Sequence, residues 1–185
     1  MQTDFCKQLG IDVPIFAFTH CRDVVVAVSK AGGIGVLGAV GYSPEQLKEE
    51  LDWIDEHIGD HIYGVDTAIP QKYEGMDKTS PEELVEMLQA AIPEQHREFA
   101  EKLLKDAGVP EWPDKDDEVS LSFSAVQAQA LVDEALTRPN CRMIVNALGT
   151  PPDDIIKQVH DSGRLIGALA GRLKHGINHK EAGLD

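Results

Sequence analysis

The sequence predicts a parallel α/β fold built from βα units, and three observations carry that expectation. Short, near-continuous apolar runs recur along the chain, as strands covered on both faces require. Each run is followed by a segment with helical spacing and recognisable caps. Glycine or proline stands at most of the junctions between them. Five such alternations fit either an open doubly wound sheet or part of a (β/α)₈ barrel.

Pro14-Ile15-Phe16-Ala17-Phe18 is the first expected strand, read as buried on both faces. A helix from Asp23 to Lys30 follows and stops at Ala31-Gly32-Gly33, where glycine can take the left-handed conformation that closes a helix. Ile34 to Ala39 is the second strand. Ser43-Pro44-Glu45-Gln46 then opens a helix with serine as N-cap, proline at the first helical position and glutamine completing a capping box. Its apolar stripe is Leu47, Leu51, Ile54 and Ile58. The third strand, Ile62 to Ile69, ends at Pro70. There the alternation breaks. Residues 71–123 read as a helical insertion, with helices opening at Ser80-Pro81 and Pro93-Glu94 before a proline-punctuated polar stretch. About fifty residues bury too little core to be independent, so the insertion is read as part of one domain over 1–185. Order resumes with a helix from Ser124 to Leu136, a fourth strand Cys141–Leu148, a helix capped by Thr150 with Pro151 behind it, a fifth strand Arg164–Ala170 and a last helix from Leu173 to Ala182.

Composition bounds the function. Of 185 residues, 17 are Lys or Arg and 32 are Asp or Glu, a formal charge of −15, and 42% are hydrophobic. That apolar content supports a core and excludes wholesale disorder. The acid excess argues against nucleic acid and against anionic membrane surfaces, both of which are bound through Lys and Arg. No run approaches the ~20 apolar residues of a membrane span, and Met1–Gly10 has no basic or apolar leader character, so the expectation is a soluble cytoplasmic protein. Cys6, Cys21 and Cys141 are odd in number and have no C-x-x-C spacing, which reads as buried or half-buried free thiols.

Functional residues of parallel α/β folds gather past the carboxyl ends of the strands. The tips here are Phe18-Thr19-His20-Cys21, Ala39-Val40-Gly41, Asp66-Thr67, Asn146-Ala147-Leu148-Gly149 and Gly167-Ala168. Apolar and small, with few charges, they suit a flat aromatic ligand better than a phosphorylated sugar. Gly167 can admit a ligand or merely a packed helix. The imidazole of His20 can donate to a ligand, or it can simply bond the backbone. His57/His61 and His175/His179 have metal-like spacing, but glycines interrupt both segments and no Glu completes H-E-x-x-H. They are read as surface residues, and no metal is expected. No G-x-G-x-x-G follows the first strand and no P-loop is present, which removes the usual nucleotide-fold signatures.

Beyond these readings, a set of segments carries a resemblance: Leu9-Gly10-Ile11-Asp12-Val13-Pro14-Ile15, the run Val28 to Ala39 with its Ala-Gly-Gly turn, Tyr42-Ser43-Pro44-Glu45-Gln46-Leu47, Tyr63-Gly64-Val65-Asp66 and Leu165-Ile166-Gly167. In order along nearly the whole chain, they resemble the nitronate monooxygenase family, formerly the 2-nitropropane dioxygenases. Ile92 to Arg97 and Ser122-Phe123-Ser124 resemble a branch whose third strand reads Gly-Val-Asp instead of Gly-Val-Asn.

The resemblance implies a (β/α)₈ barrel with non-covalent FMN at the strand ends and oxidation of alkyl nitronates with O₂. Relatives in that family use NAD(P)H to reduce quinones or enoyl thioesters. It implies Phe18, Thr19 and His20 along the flavin ring, Asp66 at the position of the family's strand-three asparagine, and Gly167 with Ala168 at the fifth tip. Two departures stand out: Ala17-Phe18-Thr19-His20 replaces the usual Gln-(Ala/Gly)-Pro-Met, and a carboxylate at Asp66 is unfavourable near an anionic reduced flavin unless protonated or paired. A barrel needs about 250 residues, and five of eight strands are legible. The strand that carries the family's catalytic histidine and the strands of its phosphate site have no counterpart in these residues, so no catalytic residue is assigned. An open sheet edge is expected to be covered by self-association or by a second chain; a truncated, inactive relative is the remaining expectation.

Overall fold

The computed structural model describes residues 3–71, 90–110 and 125–185. The chain divides into two compact units, residues 1–72 with 122–185, and residues 73–121.

The first unit opens with α1 (Asp4–Leu9), a helix with no counterpart among the expected elements. Its signals are local: the Thr3 side chain accepts the Cys6 N–H at 3.2 Å, and Gly10 closes it at φ 71°. Then follow β1 (Phe16–Thr19), α2 (Arg22–Lys30), β2 (Ile34–Gly38), α3 (Pro44–Ile58) and β3 (Tyr63–Thr67). The Ser43 capping box is present with both reciprocal bonds, and Leu47, Leu51, Ile54 and Ile58 are buried as the stripe predicts. The second unit contributes α4 (Glu94–Asp106). The first resumes with α5 (Ala125–Leu136), β4 (Cys141–Asn146), α6 (Asp153–Asp161), β5 (Leu165–Ala168) and α7 (Leu173–Glu181). The expected Ser80 helix and the Ser124 cap lie outside the described residues.

Two local expectations are corrected. α6 starts after Pro152, not at Thr150. A residue preceding proline is held out of the helical region, and two prolines in succession push the start along the chain. Freed from capping, the Thr150 hydroxyl bonds the His179 ring instead. Nor is β1 buried on both faces: its residues alternate between exposed and half-buried, with Phe16 41% and Phe18 57% exposed.

The five strands form one parallel sheet in the order β1-β2-β3-β4-β5. This order decides between the two architectures left open by the sequence. A doubly wound sheet reverses its strand order at a switch point, which sends helices to both faces. A sheet that grows in one direction through right-handed crossovers keeps its helices on one face, as a barrel does. Here the strands are added in a single direction, and the unit is five βα units of a barrel wall.

The core lies between sheet and helices. Leu37, Val65, Ile144 and Ile166 stand opposite one another across β2 to β5 and pack with Leu47, Leu51, Ile54, Leu131 and Val159. α2 presses closest: a Cβ on Gly35 would lie 2.4 Å from the Val25 carbonyl oxygen, so only glycine fits there. Arg138 ties α3 to α5 by bonding Asp52, Asp55 and Glu134.

Candidate functional site

Period-two alternation sends the other set of strand side chains to the face turned away from α2, α3, α5 and α6, where α1 meets them through Phe5 against Phe16 and a small cluster with Leu165. Phe18, Val36, Gly64, Met143 and Leu165 stand opposite one another in one row. Gly38, Asp66, Val145 and Gly167 form the next row toward the carboxyl ends. Above them opens a cleft of about 810 Å³, whose walls include Phe16, Phe18, His20, Asp66, Val145 and Gly167. That volume falls in the usual range for small-molecule and cofactor sites.

Of the residues singled out in the sequence, the cleft gathers Phe18, His20, Asp66, Gly167 and Ala168. Thr19 is placed elsewhere. It stands opposite Leu37, on the helix side, and its hydroxyl accepts the Cys21 N–H at 3.0 Å. Ala168 stands opposite Asn146 and also touches the helix-side core, so it edges the cleft rather than flooring it. Phe16, Val36, Met143 and Val145 also line the cleft without having been singled out. They are mid-strand residues two and four positions before a tip, or their cross-strand partners, and counting back by twos from each tip would have found them.

His20 is held in place by its own strand neighbour. Its Nδ1 lies 3.0 Å from the Gly38 carbonyl oxygen, which makes Nδ1 the donor and leaves Nε2 as the nitrogen with a free lone pair. The rings of His20 and Phe18 meet edge to face at 5.0 Å. Both occupy the space a Cβ on Gly38 would need, with His20 Cε1 and Phe18 Cζ each 2.7 Å from it. The glycine at 38 is therefore part of how the two rings are seated.

Among the described residues Asp66 is the one carboxylic acid lining the cleft, and it is 3% exposed. Its Oδ1 is buried without a hydrogen-bond partner. Burial pushes its pKa up to about 6, against which the His20 imidazole and the Ala147 backbone N–H pull down. Among the described residues no lysine or arginine lines the cleft.

The strand tips are tied beneath the cleft by Asn146, which is fully buried. Its Oδ1 accepts the Ile69 N–H at 2.8 Å and the Leu148 N–H at 3.2 Å, and its Nδ2 donates to the carbonyl oxygens of Ile69 at 2.9 Å and Gly149 at 2.8 Å. A second tie corrects the surface reading of His179. α7 runs through Gly176 without a break, and His179 on it is 8% exposed. The Thr150 hydroxyl lies 2.7 Å from its Nδ1, while Nε2 lies 3.2 Å from the Leu169 carbonyl oxygen and so donates to it. Among the described residues no group of three or more His, Cys, Asp or Glu could hold a metal ion, and no helix is long and apolar enough to cross a membrane. Cys6 and Cys141 are buried, with burial pushing the Cys141 thiol up to about 12, whereas Cys21 is exposed.

The fold and the strand-end cleft define the class: five consecutive βα units of a (β/α)₈ barrel with an open cleft at the carboxyl ends. No family model matches the chain. It is 43% identical, over its whole length, to a Mycobacterium tuberculosis protein named "Putative monooxygenase Rv1533". It spans 49% of that relative's length, about half of the curated protein it matches. Among solved structures it is similar to a FabK mutant from Thermotoga maritima, with TM-score 0.62 and 16% identity, covering 100% of this chain and 44% of that one. It is equally similar to a nitroalkane oxidase from Streptomyces ansochromogenes, with TM-score 0.62 and 18% identity, covering 99% and 47%. These structural likenesses establish the fold. With the full-length identity to the mycobacterial protein and the ordered segments from Leu9 to Gly167, they agree with the sequence resemblance: the chain belongs to the nitronate monooxygenase family and corresponds to its N-terminal portion.

Proposed function

We propose that this chain forms the flavin-ring face of an FMN-dependent oxidoreductase that oxidises alkyl nitronates with O₂. The observation that carries the reading is the cleft itself, which combines apolar walls, small residues in its upper row and one buried polar atom without a partner.

An isoalloxazine ring is flat, apolar over much of its area and polar along one edge. The cleft matches each property with this chain's own residues. Phe18 and Val145 supply apolar contact. Gly167 keeps the upper row shallow, since a Cβ there would come within 2.9 Å of Met143 Cε, while Gly38 makes room for the Phe18 and His20 rings. Asp66 Oδ1 is a polar group in want of a partner. With no lysine or arginine in the lining among the described residues, these residues suit the ring better than the phosphate. When bound, the flavin would supply two-electron redox chemistry. The residues here would bind and orient the ring, exclude water with the Phe18 side, and hold a proton at Asp66 or His20.

That last point bears on the substrate. A nitronate is an anion, and an ionised Asp66 in the same apolar cleft would repel it; a protonated Asp66 would not. The test uses the 185-residue chain. Titration of FMN with the protein should quench flavin fluorescence and shift its visible absorbance, and oxygen uptake should follow addition of an alkyl nitronate to a barrel completed by the relative's remaining half. A protein that leaves FMN fluorescence unchanged at every concentration overturns the flavin reading. Flavin binding with no oxygen uptake on nitronate, but with turnover of NAD(P)H and a quinone or enoyl thioester, would move the activity to a reductase on the same scaffold.

A further inference from the structure

Asp66 differs from every other polar group in the cleft wall in three ways. It is almost wholly buried, one of its oxygens has no partner, and the surface around it is apolar. A carboxylate cannot remain in that setting beside a ligand that also excludes water, because its charge would lose solvation without gaining a cation. A carboxylic acid can, and it then has an O–H to donate.

The groups facing Asp66 leave it little else. From β1 comes His20, whose Nδ1–H is committed to the Gly38 carbonyl, so the ring offers Nε2. From β2 come Val36 and Gly38, from β4 Met143 and Val145, and from β5 Gly167. None of these titrates. Among the described residues His20 is thus the one other titratable side chain in the lining, and its imidazole pulls the Asp66 pKa down.

We propose that Asp66 enters the bound state as a neutral acid that donates a hydrogen bond to an acceptor atom on the polar edge of the ring, so that ligand binding takes up one proton. This rests on the flavin reading and assigns to the cleft a selectivity for ligands with an acceptor edge, a carbonyl oxygen or an unprotonated ring nitrogen. It also explains why an aspartate can stand where the family resemblance puts an asparagine: once protonated, it offers the same donor, but only below a certain pH. Because burial pushes the free carboxyl up to about 6, the change falls in an accessible range. Above that point the affinity should fall by up to roughly tenfold per pH unit, since each bound ring must recruit one proton from an increasingly dilute pool.

The experiment measures the dissociation constant of riboflavin, which lacks the phosphate, by fluorescence quenching from about pH 5 to about pH 8. The wild-type chain should bind progressively more weakly above about pH 6, and Asp66→Asn should bind with a flat profile, tighter than wild type at the alkaline end. His20→Gln should move the wild-type decline to higher pH, because the imidazole that pulls the Asp66 pKa down is gone. In the infrared carboxylic-acid region of the ligand-free protein, one component should be lost over the same range in wild type and be missing from the wild-type-minus-Asp66→Asn comparison at high pH, which ties the transition to this side chain without any flavin present. A flat wild-type profile, an unchanged decline in Asp66→Asn, or no such component overturns the proton-uptake proposal while flavin binding stands. Absence of riboflavin and FMN binding in both proteins at every pH overturns the flavin reading, and the proposal falls with it.

Discussion

Asn146 is where a single substitution should cost the fold most for its size. Its carboxamide makes four hydrogen bonds, two as acceptor and two as donor, joining the segment after β3 to the loop after β4. Each such bond is worth about 1 kcal/mol net, and a buried partner left unpaired costs about 1 to 3 kcal/mol. The Leu148 and Gly149 ends lie near solvent and can rehydrate; both Ile69 groups are buried. Asn146→Ala should therefore lose about 3 to 4 kcal/mol, a large part of the roughly 5–15 kcal/mol that holds a domain together. Asn146→Asp keeps the shape and both acceptor bonds, but sets an oxygen 2.8 to 2.9 Å from two carbonyl oxygens. Only the protonated acid can donate to one of them, so the folded-state pKa of this Asp would lie above the unfolded value of about 3.9. A raised carboxyl contributes stability that is fully present below the unfolded pKa and lost as pH rises through the folded one. Urea unfolding followed by far-UV circular dichroism at acid and neutral pH measures both effects. Asn146→Ala within about 0.5 kcal/mol of wild type, or an Asp variant whose deficit does not grow with pH, would show that the tips are not joined by this side chain.

Gly35→Ala should destabilise by about 3 kcal/mol, since its Cβ would stand 2.4 Å from the Val25 oxygen and 2.5 Å from the Val25 Cα, both backbone; an unchanged melting temperature would contradict that packing. His179→Ala should cost about 2 kcal/mol through its two ring hydrogen bonds, read by thermal melting, and Thr150→Val should reproduce about half of that. Asp66 gives stability its own pH dependence: its folded pKa of about 6 lies above the unfolded value, so stability should decline by about 1 to 2 kcal/mol as pH rises from about 4 through about 6, allowing for solvent screening in the open cleft. Asp66→Asn should remove that decline, and a wild-type stability that rises over the same interval would reverse the sign argued here.

The elements that reading the sequence located best are those whose signals are local. Ser43 carries its cap, proline and glutamine within four residues, and the helix begins there. Gly32 closes α2 at φ 93°, as the Ala-Gly-Gly turn requires. α1 was equally local, with Thr3 and Gly10 as its caps, yet six residues hold too few apolar positions to show a period. What no local signal could supply is pairing. Whether Phe16 and Phe18 point into a core depends on which strand lies beside them and where the helices go, and both are settled by strand order. For the same reason Thr19 and His20, neighbours in sequence, part company: one turns to the helix side, the other to the cleft.

Strand order also explains why the cleft exists at all. The row facing the helices, Leu37, Val65, Ile144 and Ile166, is bulky and wholly buried, which is how a packed layer is made. Barrel interiors are normally filled in the same manner, by layers dominated by valine, isoleucine and leucine. The row of Gly38, Asp66, Val145 and Gly167 breaks that rule at three positions out of four. Gly38 makes room for two rings of the cleft wall, Gly167 leaves no side chain, and the acid adds a buried polar atom without a partner. A layer composed this way contributes little to the core, so selection for stability does not account for it. Its composition is accounted for if the volume belongs to a bound ring, with the acid placed to meet its polar edge. On that argument Gly167→Val is a decisive change. Its added carbons would meet chiefly the flexible end of Met143, 2.9 Å from the first of them, so the fold should tolerate the substitution while the space for a ligand closes.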